Sequence, residues 1–177
     1  METKAEEMSA EVMGYNKKSF YPNVMISGYF DPIQPGHIEL FKYAKGGSYL
    51  GDYCRVPHVI AVIHTPRDII KKSGFYIYET EELKSILLGH KLLVDEVVEA
   101  VDVDGLVAET IRKIRPEYFV KGPDRHPENM PEEELLACEE VGCKIIYQPG
   151  RKINSSSNIK NRIYNQISEM VLKRVSN

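Results

Sequence analysis

A chain of 177 residues, 42% apolar and 28% charged, fits one soluble domain with a real core. Its formal charge of −3 argues against a general nucleic-acid binder. No apolar run approaches the roughly 18 residues of a membrane span, and the acidic start METKAEEMSAE does not read as a signal peptide. Three cysteines, Cys54, Cys138 and Cys143, are spaced like no disulfide framework or zinc site, so a reducing cytoplasm is the expected compartment.

Residues 1–22 are polar and without period, and are expected to form an extension with no core of its own. A domain over 23–177 follows. VMISGYF (24–30) is a short apolar run that reads as a strand, ended by Asp31 and Pro32. His37–Lys45 carries Ile38, Phe41 and Ala44 at helical spacing. A second strand, 59–64, leads through a basic polar stretch to a helix over 79–93. Next come a strand at 95–101, a helix from about 105 to 114 that Pro116 should stop, and a strand at 118–121. An acidic helix over 131–140, a strand at 144–148 and a last amphipathic helix complete the chain. That helix places Ile159, Ile163, Ile167, Met170 and Val171 on one face.

Five strands alternating with helices predict an α/β fold, a doubly wound sheet of about five parallel strands with flanking helices. Ligands in such sheets bind beyond the carboxyl ends of the strands. After the first strand comes GYFDPIQPGHIELF (28–41). Gly28 permits close backbone approach, and Pro35 and Gly36 open a helix whose N-terminus favours phosphate. His37 lies in its first turn. On these residues alone, Asp31 serves equally as a turn cap and His37 as a surface residue. Ser155, Ser156 and Ser157 precede a helical period and offer an N-cap. With Arg151 and Lys152 nearby, they also make an anion site. Positions 150–177 hold six Lys or Arg against one Glu, a net of +5 in an acidic protein.

The segment GYFDPIQPGHIELFKYA resembles the GxFDxxHxGH motif of the cytidylyltransferase-like nucleotidyltransferases, the HIGH-motif superfamily, through Gly28, Phe30, Asp31, Gly36 and His37. It departs at Gln34, where the family carries the first histidine of its pair. VKGPDRHPENMPEEE, with Lys121, Gly122 and Asp124, is similar to the VKGGDY segment of ADP-heptose synthases, and LLVDEVVEAV to the family's VDxVV strand. SSSNIKNRI resembles the STTxIIxxI start of its last helix. Arg151 stands where related cytidylyltransferases place an arginine for the nucleotide phosphates.

The resemblance implies a Rossmann-like fold and transfer of NMP from CTP or ATP to a small phosphorylated or phosphonate acceptor, with release of pyrophosphate. It assigns His37, Lys71, Arg151 and Gln34 to catalysis. Gly28, Tyr29, Phe30, Asp31, Gly36, Lys121, Gly122, Asp124, Ser155, Ser156 and Ser157 would hold the nucleotide. His64 and Lys84 would face the acceptor. Magnesium would travel with the triphosphate, with few protein ligands, and Asp31 would orient it or His37. Gln34 would offer a phosphate oxygen a neutral amide N–H in place of an imidazole. The resemblance also implies a homodimer. The insertion at 46–57 would line an acceptor pocket or contact a second subunit. Two rivals stand beside this reading. A non-catalytic nucleotide-binding module is motivated by Gln34. A dinucleotide enzyme lacks any G-x-G-x-x-G turn after a strand.

Overall fold

The computed structural model describes residues 21–51 and 56–175. Five strands form one parallel sheet in the order β3-β2-β1-β4-β5. They are β1 (Asn23–Gly28), β2 (His58–Ile63), β3 (Glu96–Glu99), β4 (Tyr118–Lys121) and β5 (Lys144–Tyr147). The helices among the described residues are α1 (Pro35–Gly46), α2 (Pro66–Ser73), α3 (Thr80–Gly89), α4 (Ala108–Ile114), α5 (Glu132–Val141) and α6 (Ser156–Val175). This is a Rossmann-like α/β fold, as the sequence predicts.

Strands β1, β2 and β4 lie inside the sheet with both faces covered, and their central residues, Val24–Ile26, Val59–Ile63 and Tyr118–Val120, are apolar runs. Side chains alternate between the two faces. Val24, Ile26, Val59, Ala61, Ile63 and Val120 meet Leu40, Phe41 and Ala44 of α1 and Leu83 and Leu87 of α3. Met25, Val62 and Phe119 meet Ala108 and Ile111 of α4 and Ala137 and Cys138 of α5. Each fully buried large apolar side chain contributes about 1.5–3 kcal/mol, so these two layers fix the strands whose carboxyl ends carry the site. Cys138 and Cys143 are buried free thiols.

The helix α2 is the element the sequence reading lacks. Its segment reads as a basic polar stretch because only Asp68 and Ile69 are buried, which leaves no apolar period. Local signals make it a helix nonetheless. Thr65 Oγ1 accepts from the Asp68 N–H at the N-cap, Pro66 fills the first turn, and Gly74 at φ +83° ends it. Several boundaries also move, among them the third strand, which is 96–99 rather than 95–101, and the next helix, which starts at 108 rather than about 105. The first strand stops at Gly28, leaving Tyr29 and Phe30 beyond it, and α3 ends at Gly89 rather than 93.

From β1 the chain builds outward through β2 and β3, then returns past β1 to form β4 and β5. The order therefore reverses between β1 and β4, and the crevice beyond their carboxyl ends is the switch point at which such sheets bind ligands. The expected extension at 1–22 falls outside the described residues except for Tyr21 and Pro22. The same holds for Cys54 and for 52–55 of the 46–57 insertion, whose described part forms a short 3-10 turn at Ser48–Leu50.

Candidate active site

A cavity of about 450 Å³ opens at the switch point. Every residue expected to hold the nucleotide lines it: Gly28 to Asp31 and Gly36 from the β1–α1 loop, Lys121, Gly122 and Asp124 from β4, and Ser155 to Ser157 at the start of α6. His37, Gln34, Arg151 and His64 line it too. Lys71 and Lys84 do not.

The β1–α1 loop is shaped by Phe30, which adopts φ +48°, a costly conformation for a bulky residue. Its ring is buried in the core, edge-on to Phe41 and to His37. A Cβ on Gly28 would lie 2.9 Å from that ring, so this position needs glycine. Gln34 caps α1. Its Oε1 accepts from the Gly36 N–H at 2.7 Å, and its Nε2 donates to the Asn154 carbonyl at 3.3 Å. Gln34 thus has a structural role as well as a place in the cavity wall. The amide fixes the helix start and ties it to the segment before α6.

His37 sits in the first turn of α1. Burial, with Lys152 adding to it and Asp124 opposing, lowers its pKa to about 4. Its Nδ1 is buried with no partner among the described residues, and His37 lines the cavity. His64, at the end of β2, is in the same state. Burial lowers its pKa to about 4 despite Asp68 and Asp102, and its Nδ1 is likewise orphaned. Its ring stacks on Tyr29 at 4.3 Å between centroids.

Both histidines have folded pKa values below the ordinary 6.5, so the unfolded chain binds protons more readily between these values. The stability they contribute is complete above about pH 6.5 and is lost as pH falls toward about 4. The loss is on the order of 3 kcal/mol per histidine. Urea midpoints should fall from pH 7 to about pH 4.5, and by less in His64→Gln. Equal drops in the two proteins would refute the assignment for His64.

Lys72, not Lys71, points into the cavity. One residue is 100° around a helix, and α2 turns Lys72 over the Tyr29 ring, 3.8 Å from its centroid. Burial lowers the Lys72 pKa, and Arg125, Lys152 and Lys160 add to this while Asp124 opposes it. Lys71 is exposed and donates weakly to the Val103 carbonyl at 3.4 Å. Lys84 is held outside the cavity by Glu81 at 2.7 Å and Glu99 at 2.6 Å.

Asp31 also differs from expectation. Its carboxylate is fully buried, accepts the Ile77 and Tyr78 N–H groups and pairs with Lys160 at 3.0 Å. It therefore does not face His37 or an ion as an open ligand. Lys160 carried no signal in the sequence, because it falls in the polar part of the α6 pattern. On the opposite wall Lys121 pairs with Glu134 at 3.0 Å and lies 4.2 Å over the Phe119 ring. Lys152 binds Asp124 at 2.6 Å. Burial works to raise the Asp124 pKa, but the Lys152 hydrogen bond and charge hold it below the ordinary value. Ser155 caps α6 by accepting the Asn158 N–H, and Ser156 Oγ donates to the Pro32 carbonyl at 2.9 Å. Arg151 lines the cavity from an exposed loop. The result is an α1 N-terminus and a ring of cations around one crevice, an arrangement suited to a polyphosphate.

No family model matches the chain. It is 30% identical over 144 residues to an FAD synthase from Picrophilus torridus, covering 79% of this chain and 94% of that protein. In structure it is similar to a lipopolysaccharide core biosynthesis protein from Thermoplasma volcanium. The TM-score is 0.57 at 22% identity, and the match covers 74% of this chain and 98% of the other. The second likeness supports the fold. The first extends over nearly the whole length of a relative, and the motif residues Gly28, Asp31, Gly36 and His37 stand together at the switch point. This chain belongs to the cytidylyltransferase-like nucleotidyltransferase family and is a nucleotidyltransferase.

Proposed function

We propose that the protein transfers AMP from ATP to a small acceptor bearing a phosphate or phosphonate, releasing pyrophosphate. The observation that carries this reading is the cationic crevice at the N-terminus of α1, with Lys72, Arg151 and Lys152 around His37. Likeness to an FAD synthase favours ATP over CTP and places a flavin phosphate among the acceptors to be tried. An acceptor oxygen attacks the α-phosphorus in line. A new P–O bond forms, and the bond to the β-phosphate breaks with its electron pair leaving on pyrophosphate. The protein positions the reactants and stabilises charge. His37 and Arg151 face the triphosphate from the β1–α1 and β5–α6 sides, and Lys72 and His64 lie on the β2 side, where the acceptor would bind.

Magnesium enters as the ion of the triphosphate substrate. Asp31 is committed to Lys160 and two backbone N–H groups. Phosphate oxygens and water then supply its ligands.

Pyrophosphate release should be measured with each NTP against glycerol 3-phosphate, a sugar phosphate, a phosphonate and a flavin mononucleotide. Release with ATP and one acceptor is the expected result. Nucleotide binding without release under every combination would instead make the chain a non-catalytic module. Lys72→Met should lower kcat/KM by about 10-fold or more, the worth of one charged hydrogen bond, whereas Lys71→Met should stay within about twofold.

A homodimer is part of the same proposal. Ile167, Met170 and Val171 on α6 are 55%, 57% and 54% exposed, an apolar stripe that a second copy would cover. Sedimentation at micromolar concentration as a monomer would refute it.

A further inference from the structure

The geometry points to Lys160 as a positioning residue for Lys72. Lys160 is 3% exposed and lies on the first turns of α6, far along the chain from everything it touches. Its ammonium donates to Asp31 Oδ2 at 3.0 Å, to Ser73 Oγ at 2.9 Å and to the Phe75 carbonyl at 2.6 Å. An ammonium has three donors, so all are used, and Lys160 lines the cavity without a hydrogen left for a phosphate. Its partners fall on the two segments that flank Lys72. Asp31 follows Tyr29, on whose ring Lys72 rests. Ser73 follows Lys72 itself at the end of α2, and Asp31 also holds Ile77 and Tyr78 just beyond. Lys160 thereby joins the β1–α1 loop, the end of α2 and α6 at a single atom.

Held in this way, the last turn of α2 cannot rotate, and Lys72 Nζ stays over Tyr29 facing the cavity. The inference rests on the assignment of Lys72 to substrate phosphate made above, and nothing in the family motif supplies it.

A buried pair is best removed as a unit, because deleting one partner strands the other charge. The test is a double-mutant cycle between Asp31→Asn/Lys160→Met and Lys72→Met, read as kcat/KM in the pyrophosphate assay. Asp31→Asn/Lys160→Met should lower kcat/KM by about 10-fold in the wild-type background and by less than about twofold when Lys72 is already methionine. A purely structural role would lower both backgrounds equally, and that additive result would overturn the inference. If the pair variant does not fold, Ser73→Ala removes one acceptor without touching the charge, and its cycle with Lys72→Met must show the same non-additivity. Lys72→Met at the wild-type rate would sink the Lys72 assignment, and the clamp role with it. Activity lost on Lys72→Met with an additive cycle would sink the clamp role alone.

Discussion

Replacing His37 with alanine is expected to lower kcat by about 10² or more, the typical loss for one preorganised donor at developing charge, with nucleotide affinity changed by about threefold at most. The ring is well placed for that role. It sits at the N-terminus of α1, its Nδ1 is enclosed, and Phe30 meets it edge-on at 5.0 Å. With the site empty, burial and Lys152 keep the imidazole neutral at pH 7. In the proposed reaction a bound triphosphate would bring negative charge to the ring and reverse the balance, making it a stronger donor as charge builds on the leaving pyrophosphate. That gain is specific to the transition state and should appear in kcat rather than in binding. His37→Gln, which keeps a neutral N–H of similar reach, should recover part of the loss. Steady-state kinetics with calorimetric nucleotide affinity decides the matter. An alanine variant turning over at the wild-type rate would remove the β1–α1 loop from catalysis.

The sheet was legible in the sequence for a simple reason. A parallel strand covered on both faces must be continuously apolar, and Val24–Ile26, Val59–Ile63 and Tyr118–Val120 are so. Residues that follow such strands were therefore readable as site residues, and Gly28, His37, Gly122 and Asp124 do share one cavity. What was illegible depended on rotation or on distant partners. Without α2 in view, two adjacent lysines look equivalent, and only the helix turn separates Lys72 over Tyr29 from Lys71 at the surface. Yet the Thr65-Pro66 start and Gly74 end of α2 were signals of a helix. Asp31 looked like an ion ligand because its partner Lys160 comes from the far end of the chain, where no local pattern marks a buried lysine. The family resemblance puts Lys84 near the acceptor, but acidic neighbours at 81 and 99 hold it elsewhere. Gln34 looked like a weakened catalytic group. Its capping bond to Gly36 and its bond to Asn154 give it work that the loop requires whatever the chemistry.

Lys121→Met is expected to destabilise the fold by about 3–5 kcal/mol, a large part of the 5–15 kcal/mol that holds a domain together. The side chains of Lys121 and Glu134 are only 9% and 6% exposed, and they pair at 3.0 Å between β4 and α5. Burial lowers the Lys121 pKa while Glu134 opposes that shift, so the ammonium depends on its partner. Methionine in its place strands the Glu134 carboxylate beside Cys138 and the apolar layer of Phe119 and Ala137. Removing both charges together, as Lys121→Met/Glu134→Leu, should restore stability to within about 2 kcal/mol of the wild type, measured by urea unfolding. The double variant then isolates the ligand role. Among the described residues the Lys121 ammonium has one hydrogen-bonded partner, Glu134, and Lys121 lines the cavity. If its remaining donors reach the nucleotide, ATP affinity in the refolded double variant should fall by about 10-fold or more, the worth of a charged hydrogen bond. Wild-type affinity in a double variant of restored stability would make Lys121 a strut for α5 and nothing more.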